Sequence, residues 1–220
     1  LLLKQRPNKS IQIVSNIVEI TGSATPFSLR KDFLFIGSFQ HPPNTGGVLF
    51  VARDILPLVQ QELGPVKFYV IGDKAPPEVV ALANETTIVT GLQRDVRPYF
   101  DNVKLSVAPL RYGAGVKGKI NQSMGFGVPV VATSIAAEGM ELIDREDALV
   151  ADTNQDFARA LIELYRSQSL WDHVSQAGLE KTQALYSRSA AEKKLRQLFS
   201  NDQPENEPTD RFVSTGAATL

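Results

Sequence analysis

The sequence predicts a doubly wound α/β domain, in which helices cover both faces of a parallel sheet. Short apolar runs rich in β-branched and aromatic residues alternate with stretches of helical periodicity along most of the chain. Several of these runs, such as the one that ends at Gly37, close on glycine, as buried parallel strands do before a turn. Strands that are separated by helices favour parallel pairing and a sheet covered on both sides.

Six apolar runs are predicted as the strands of this sheet. In chain order they are Phe33–Gly37, Lys67–Gly72, Thr87–Gly91, Leu105–Leu110, Pro129–Thr133 and Ala148–Ala151. A further candidate strand, Ile11–Ile17, precedes them. The ligand site of a doubly wound sheet lies at the carboxyl ends of its strands, so the residues that follow each run are the candidate site residues.

Helices are predicted between and after these strands. The first runs from Asn44 to about Leu63, because its apolar residues recur at helical spacing, and Asn44 or Thr45 is its predicted cap. Asp95 is the predicted cap of a brief later helix, and Gly127 follows the end of another. The remaining predicted helices are Pro77–Ala83, Asp95–Phe100, Val116–Phe126, Asp156–Arg166, Leu170–Ala184 and Ser189–Phe199.

Residues 32–200 form the predicted domain. Residues 1–31 are predicted to be an interdomain segment, and residues 201–220 to be a polar tail. The chain starts with leucine and shows no signal-peptide pattern, so we expect it to be part of a longer protein.

The composition excludes several classes of protein. The 23 lysines and arginines balance 24 acidic residues, whereas a nucleic-acid binder would show a basic excess. The chain has no cysteine, which excludes disulfides and cysteine nucleophiles, and we expect a cytoplasmic location. No apolar run approaches the ~20 residues of a transmembrane segment. No His, Asp or Glu cluster has metal-ligand spacing, so no metal site is predicted.

The most informative segment is a glycine-rich turn between the fourth predicted strand and the next helix. Gly113 and Gly115 leave backbone N–H groups free to face an anion, which the helix dipole also attracts. Lys117 and Lys119 stand in the first helical turn, where the dipole disfavours cations and a bound anion would relieve the conflict. These residues alone leave two interpretations open: a phosphate site, and an ordinary turn with exposed lysines. The spacing fits neither a P-loop nor a GxGxxG dinucleotide motif.

Residues Arg111–Thr133, with Glu138 and Gly139 after them, resemble the donor-site signature of the group-one family of retaining glycosyltransferases with the GT-B fold. The shared features are a Gly-x-Gly-x-Lys-x-Lys turn, an amide or carboxylate before a methionine, and then Gly-x-Pro-Val-Val-Ala-Thr. Phe35–Phe39 and His41–Asn44 resemble the first strand and turn of the same family. The resemblance covers about residues 11 to 199.

The resemblance implies the C-terminal, Rossmann-like half of a two-domain glycosyltransferase. Residues 91–95 would flank the base of the donor, the turn at 113–117 would meet its diphosphate, and Gln122 would lie near the ribose. Lys117 and Lys119 are the implied catalytic residues, because their charge would offset that of the leaving diphosphate. The residues implied to bind the donor are Gly37, Ser38, His41, Gly91, Leu92, Gly113, Ala114, Gly115, Val116, Gln122 and Glu138.

The implied reaction transfers a sugar from a nucleoside diphosphate-sugar to an acceptor with retention, without a metal or another cofactor. The acceptor would be a saccharide or lipid-linked glycan held by an N-terminal domain, which would place the full-length enzyme in the cytoplasm or at the inner face of a membrane. This chain alone is not expected to catalyse the transfer.

The sequence departs from the family pattern in two places. The family's paired glutamates fall at Ala114 and Gln122, and its arginine and lysine after the first strand fall in a region that holds His41 and Asn44. His41 is therefore either a ligand contact or a turn residue, and Glu138 either faces the sugar or caps a helix. Two other functions stay open: a non-catalytic nucleotide-sugar-binding or scaffold domain, and a sugar-nucleotide epimerase of the same shape.

Overall fold

A computed structural model of the chain describes residues 14–113 and 115–200, and in that part the sheet is parallel throughout. Its strand order is β3-β2-β1-β4-β5-β6. Each predicted strand is present with ends within two residues of the prediction. The strands are β1 (Lys31–Ile36), β2 (Phe68–Ile71), β3 (Thr87–Gly91), β4 (Val103–Ala108), β5 (Val130–Ala132) and β6 (Leu149–Val150).

Helices connect these strands and continue after the last one. They are α1 (Pro42–Phe50), α2 (Leu56–Leu63), α3 (Pro77–Val80), α4 (Arg97–Asn102), α5 (Gly118–Gly125), α6 (Ser134–Ala137), α7 (Asn154–Arg166), α8 (Gln168–Tyr186) and α9 (Arg188–Ser200). Gly127 adopts a φ of 70° just after α5, as a glycine that ends a helix does. The doubly wound α/β class is confirmed.

The first predicted helix begins two residues earlier than the sequence indicates. Prolines occupy its first two positions, where a missing N–H costs nothing, so the predicted caps Asn44 and Thr45 are wrong. Residues Val51–Ile55 form a π-helical turn between α1 and α2. Pro57 is the second residue of α2, two positions after this turn, and cannot donate a backbone hydrogen bond; such irregular turns accommodate that loss.

The segment before the sheet does not form the candidate strand at residues 14–17; residues 11–13 lie outside the described part. Its backbone crosses two helices instead: Val18 N–H donates to the Tyr186 carbonyl at 3.0 Å, and Thr21 N–H donates to the Gly125 carbonyl at 3.1 Å. Residues 201–220 are also outside the described part, so the division at 31 and 200 stays a prediction. None of the helices described is both long and apolar enough to cross a membrane.

The two faces of the sheet bury separate apolar clusters. On one face the rings of Phe33 and Phe68 stack with centroids 5.1 Å apart, beneath α1, α2 and α7. On the other face Leu34, Ile71 and Phe100 belong to a second cluster. Neighbouring residues of β1 therefore enter opposite layers, as the period of a β-strand requires.

The direction of the strand order reverses between β1 and β4. From β1 the chain proceeds to β2 and β3 at one edge, and from β4 it proceeds to β5 and β6 at the other. Helix α1 packs tightly here, because a Cβ on Gly47 would stand 2.8 Å from the Pro109 carbonyl oxygen. The carboxyl ends of β1 and β4 thus border the crevice in which doubly wound sheets bind ligands.

Candidate functional site

A cleft of about 570 Å³ opens at the carboxyl ends of β1 and β4. Its walls come from the loop after β1 and from the glycine-rich turn that leads into α5. Eight of the residues predicted for the site line it: Gly37, Ser38, His41, Gly113, Val116, Lys117, Lys119 and Gln122. The fold thus brings together two segments that are more than 70 residues apart in the sequence.

Four other predicted site residues lie outside the lining of this cleft. Gly91 ends β3 at the edge of the sheet, and Leu92 after it is exposed. Gly115 is exposed in the turn before α5, with a φ of 83°. Glu138 is exposed at the end of α6 and begins no helix. Ala114 lies outside the described residues, and the roles predicted for all five stay predictions.

Lys119 is half-buried near the start of α5, and its ammonium group faces the cleft. Nζ lies 4.7 Å from the centroid of the Phe35 ring and donates to Oδ1 of Asn44. Burial, followed by the like charge of Lys117, lowers the pKa of Lys119 to about 8. The ammonium is therefore held in an environment that an anion would stabilise.

Lys117 is the N-cap of α5, one position before the helix, whereas the sequence predicts it inside the first turn. Its side chain is buried, and Nζ donates to the Gly115 carbonyl at 2.6 Å. Its backbone N–H donates to Sδ of Met140 at 3.2 Å. The loop after α6 therefore supports the start of α5, a contact that no sequence pattern indicates.

The sequence places Asn44 correctly at the start of the helix that follows β1 but interprets it wrongly as the cap of that helix. Its side chain is buried, and Nδ2 donates to the Ser38 carbonyl at 2.6 Å while Oδ1 receives the Lys119 ammonium. The sequence signal that could have identified Asn44 is its position directly after two prolines, in the segment that follows a strand.

Six further lining residues are not among the predicted donor-binding and catalytic residues: Asn16, Ile36, Pro43, Leu110, Tyr112 and Gly118. Pro43 and Tyr112 extend the two walls, and Asn16 enters from the segment that precedes the sheet. Asn16 could not be predicted, because nothing in its neighbourhood of the sequence indicates that it reaches the carboxyl ends of β1 and β4.

The electrostatics of the cleft suit an anion. Its lining contains two lysines, and none of the described lining residues is aspartate or glutamate. The first N–H groups of α5 have no partner within the helix and add partial positive charge at the same place. Within residues 14–113 and 115–200, no three His, Cys, Asp or Glu side chains are grouped to hold a metal. Independence from metal stays a prediction.

Comparison with known families decides the classification of this fold. The family model described as glycosyl transferases group 1 matches residues 30–167, which is more than half of the chain. The chain belongs to this family. The matched residues of this group 1 glycosyl transferase include β1 to β6 and both walls of the cleft.

Solved GT-B glycosyltransferases share the fold of this group 1 domain. The structure of S. aureus TarM in complex with fondaparinux, α-GlcNAc-glycerol and UDP has a TM-score of 0.73 at 20% identity, over 90% of this chain and 41% of TarM. The C-terminal domain of a group 1 glycosyl transferase from Francisella tularensis has a TM-score of 0.58 at 16% identity. That match covers 72% of this chain and 87% of the Francisella domain, so the fold is that of a C-terminal GT-B domain.

A curated protein is similar at the level of sequence. It is an uncharacterized 44.6 kDa protein in the cps region of Klebsiella pneumoniae, 25% identical over 138 residues. The alignment covers 59% of this chain and 36% of the Klebsiella protein. The chain thus spans well under two thirds of the length of this relative and of TarM.

Proposed function

We propose that the cleft binds the diphosphate of a nucleoside diphosphate-sugar, and that the enzyme to which this domain belongs transfers the sugar to an acceptor with retention. The observation that carries the proposal is the pair of lysines at the start of α5. Lys117 and Lys119 meet the helix N-terminus at the point where the strand order reverses. Helix N-termini and lysines are the groups with which α/β domains bind phosphate.

The geometry supports an electrostatic contribution to the transfer. Negative charge develops on the diphosphate as the bond to the sugar breaks, and fixed positive groups stabilise that charge best in a site with little water. Lys119 meets this description, because its ammonium is half-buried and its orientation is fixed by Asn44 and Phe35. Lys117, two residues earlier in the chain, adds a second charge.

The remaining donor contacts follow from the family resemblance. Gln122 and His41 line the cleft and would bind the ribose or the sugar through hydrogen bonds. The proposal assigns the base to the region of Gly91 and Leu92 and the sugar to the side near Glu138. A uridine nucleotide is the first donor to test, because TarM was solved with UDP and Anabaena HepE with UDP-glucose.

The acceptor side of the proposal concerns the longer enzyme. A saccharide or lipid-linked glycan would be held by an N-terminal domain, in the cytoplasm or at the inner face of a membrane, and no cofactor or metal is proposed. We do not expect the chain alone to transfer sugar, because none of the described residues that line the cleft is placed as a nucleophile or general base.

One observation favours a second function. Ala114 and Gln122 stand where the family has glutamates, and the described lining has no carboxylate. A non-catalytic nucleotide-sugar-binding or scaffold domain would keep the anion site and lose turnover. Sugar transfer by the full-length protein, detected as release of the nucleoside diphosphate in the presence of acceptor, separates the two.

Both functions require the cleft to bind the nucleoside diphosphate, and calorimetric titration of the chain with UDP, GDP and ADP tests this binding. The titration is made in EDTA and repeated with Mg²⁺. We expect one of the three nucleotides to bind in EDTA, with no more than a small gain from Mg²⁺. Absence of binding by all three would refute the donor site, and binding that needs Mg²⁺ would refute metal independence.

A further inference from the structure

We infer that Asn44 is a positioning residue for the diphosphate: it holds the Lys119 ammonium at the cleft without neutralising its charge. The inference rests on the proposed function, because the ligand that Lys119 would meet is the proposed diphosphate. It adds a role for a residue of α1, on the opposite wall of the cleft from the lysines.

The amide of Asn44 joins the two walls of the cleft. Nδ2 donates to the Ser38 carbonyl at 2.6 Å in the loop after β1, and Oδ1 accepts from Nζ of Lys119 in α5. Only 4% of the surface of Asn44 is exposed, so water competes little for these hydrogen bonds. One side chain thus fixes both the backbone of the first wall and the cation of the second.

Gly37 provides the space in which this contact forms. A Cβ at this position would lie 2.9 Å from Nδ2 of Asn44 and 3.3 Å from Cε of Lys119. The Phe35 ring lies on another side, with its centroid 4.7 Å from Nζ. The two polar side chains therefore meet beside a position that has room only for glycine, and Lys119 has little freedom to turn elsewhere.

An uncharged amide is the group that this position requires. It offers Lys119 an acceptor and Ser38 a donor at the same time, which neither leucine nor aspartate can do. Aspartate would form an ion pair with Lys119 and cancel the charge that a diphosphate needs. The other ionisable side chains that line the cleft are Lys117, His41 and Tyr112, and none of them is a carboxylate that could pair with Lys119.

The test compares Asn44→Asp with Gln40→Glu, which adds the same charge at an exposed position of the loop that precedes α1. Affinity for UDP, GDP and ADP is measured by calorimetry, and the titration of the Lys119 ammonium is followed by NMR in the chain without nucleotide. For Asn44→Asp we expect affinity to fall roughly tenfold or more and the pKa of Lys119 to rise. For Gln40→Glu we expect less than about a threefold loss and no change in that titration.

A second variant perturbs the same contact without adding charge. Gly37→Ala pushes the Asn44 amide away from Lys119, so affinity for the nucleotide falls while the pKa of Lys119 does not rise. Circular dichroism verifies that each variant is folded.

The outcomes separate the two proposals. If the unsubstituted chain binds a nucleotide and Asn44→Asp binds it equally well with Lys119 titrating as before, the role of Asn44 is refuted and the donor site stands. If the unsubstituted chain binds none of the three nucleotides, the donor site is refuted and the role of Asn44 with it.

Discussion

Two half-buried lysines lie at opposite ends of the central strand β4, and their surroundings differ. Lys104 lies near the amino end, where Nζ donates to the Tyr165 carbonyl at 2.9 Å and stands 3.7 Å and 4.4 Å from the ring centroids of Phe27 and Tyr165. Lys119 lies beyond the carboxyl end, with one amide acceptor, one aromatic ring and an open cleft.

Burial lowers the pKa of both lysines, but the protein surrounds the two ammonium groups with different numbers of stabilising contacts. Lys104 is surrounded by a carbonyl acceptor and two partly buried rings, so its ammonium stabilises the packing of the segment at Phe27 against α7. Lys119 has in addition a like-charged neighbour, Lys117, and its pKa falls to about 8. A desolvated lysine therefore stabilises the fold where the protein surrounds its ammonium group with acceptors and rings. Where one side of the ammonium group is left open to a cleft, the lysine is a candidate ligand-binding residue.

The largest difference between the lysines at the two ends of β4 should be in their effect on nucleotide affinity. Replacing both Lys117 and Lys119 by alanine should weaken binding of the nucleoside diphosphate roughly 100-fold or more, because a hydrogen bond to a charged group contributes about 1.5–3 kcal/mol. Lys104→Ala is the matched control and should leave the affinity within about twofold. Calorimetry measures both, and unchanged affinity in the double variant would remove the phosphate assignment.

The free energy of unfolding should depend more on Lys104 than on Lys119, the reverse of the order expected for nucleotide affinity. Lys104→Met should lower the free energy of unfolding by about 1–2 kcal/mol, because the Tyr165 carbonyl loses its donor and two ring contacts disappear. Lys119→Met should lower that free energy by less than Lys104→Met does, because the loss of its contacts with Asn44 and Phe35 is offset by the removal of a desolvated charge beside Lys117. Urea unfolding at pH 7 measures both changes. A larger loss for Lys119→Met would show that Lys119 is the structural lysine.

The pH dependence of binding should be a smaller effect with a definite sign. A bound diphosphate raises the pKa of Lys119 above its free value of about 8, so binding takes up a proton above that pH. Affinity should therefore fall as pH rises beyond 8, by up to about tenfold per pH unit. Lys119→Arg keeps its charge at these pH values and should lose the dependence. The same slope in Lys119→Arg would assign the titration to another group.

The fold could be predicted from the sequence because its signals are local. Each strand is a short apolar run, and the order of strands and helices restricts the topology to a few parallel sheets. The lysines could be predicted as well, because glycines and the start of a helix mark their turn. Asn44 could be placed at the start of the helix after β1, but its side chain bonds Lys119, which lies 75 residues away, and cap statistics do not describe such a contact.

Two other contacts could not be predicted from the sequence, because they also join residues that are distant in the chain. Asn16 enters the cleft from a segment with no periodicity, and Met140 supports Lys117 through a sulfur contact between two loops. Asn121, on α5, is buried with neither polar atom of its side chain bonded, and nothing in the structure explains it.

Backbone amide NMR of the chain during titration with UDP, and then with GDP and ADP, tests the central claim most directly. The account predicts that the largest shift changes fall on Gly113, Gly115, Lys117 and Gly118 and in the loop after β1, with none near Lys104. Changes centred on Lys104 and the amino ends of the strands, or no changes with any of the three nucleotides, would contradict it.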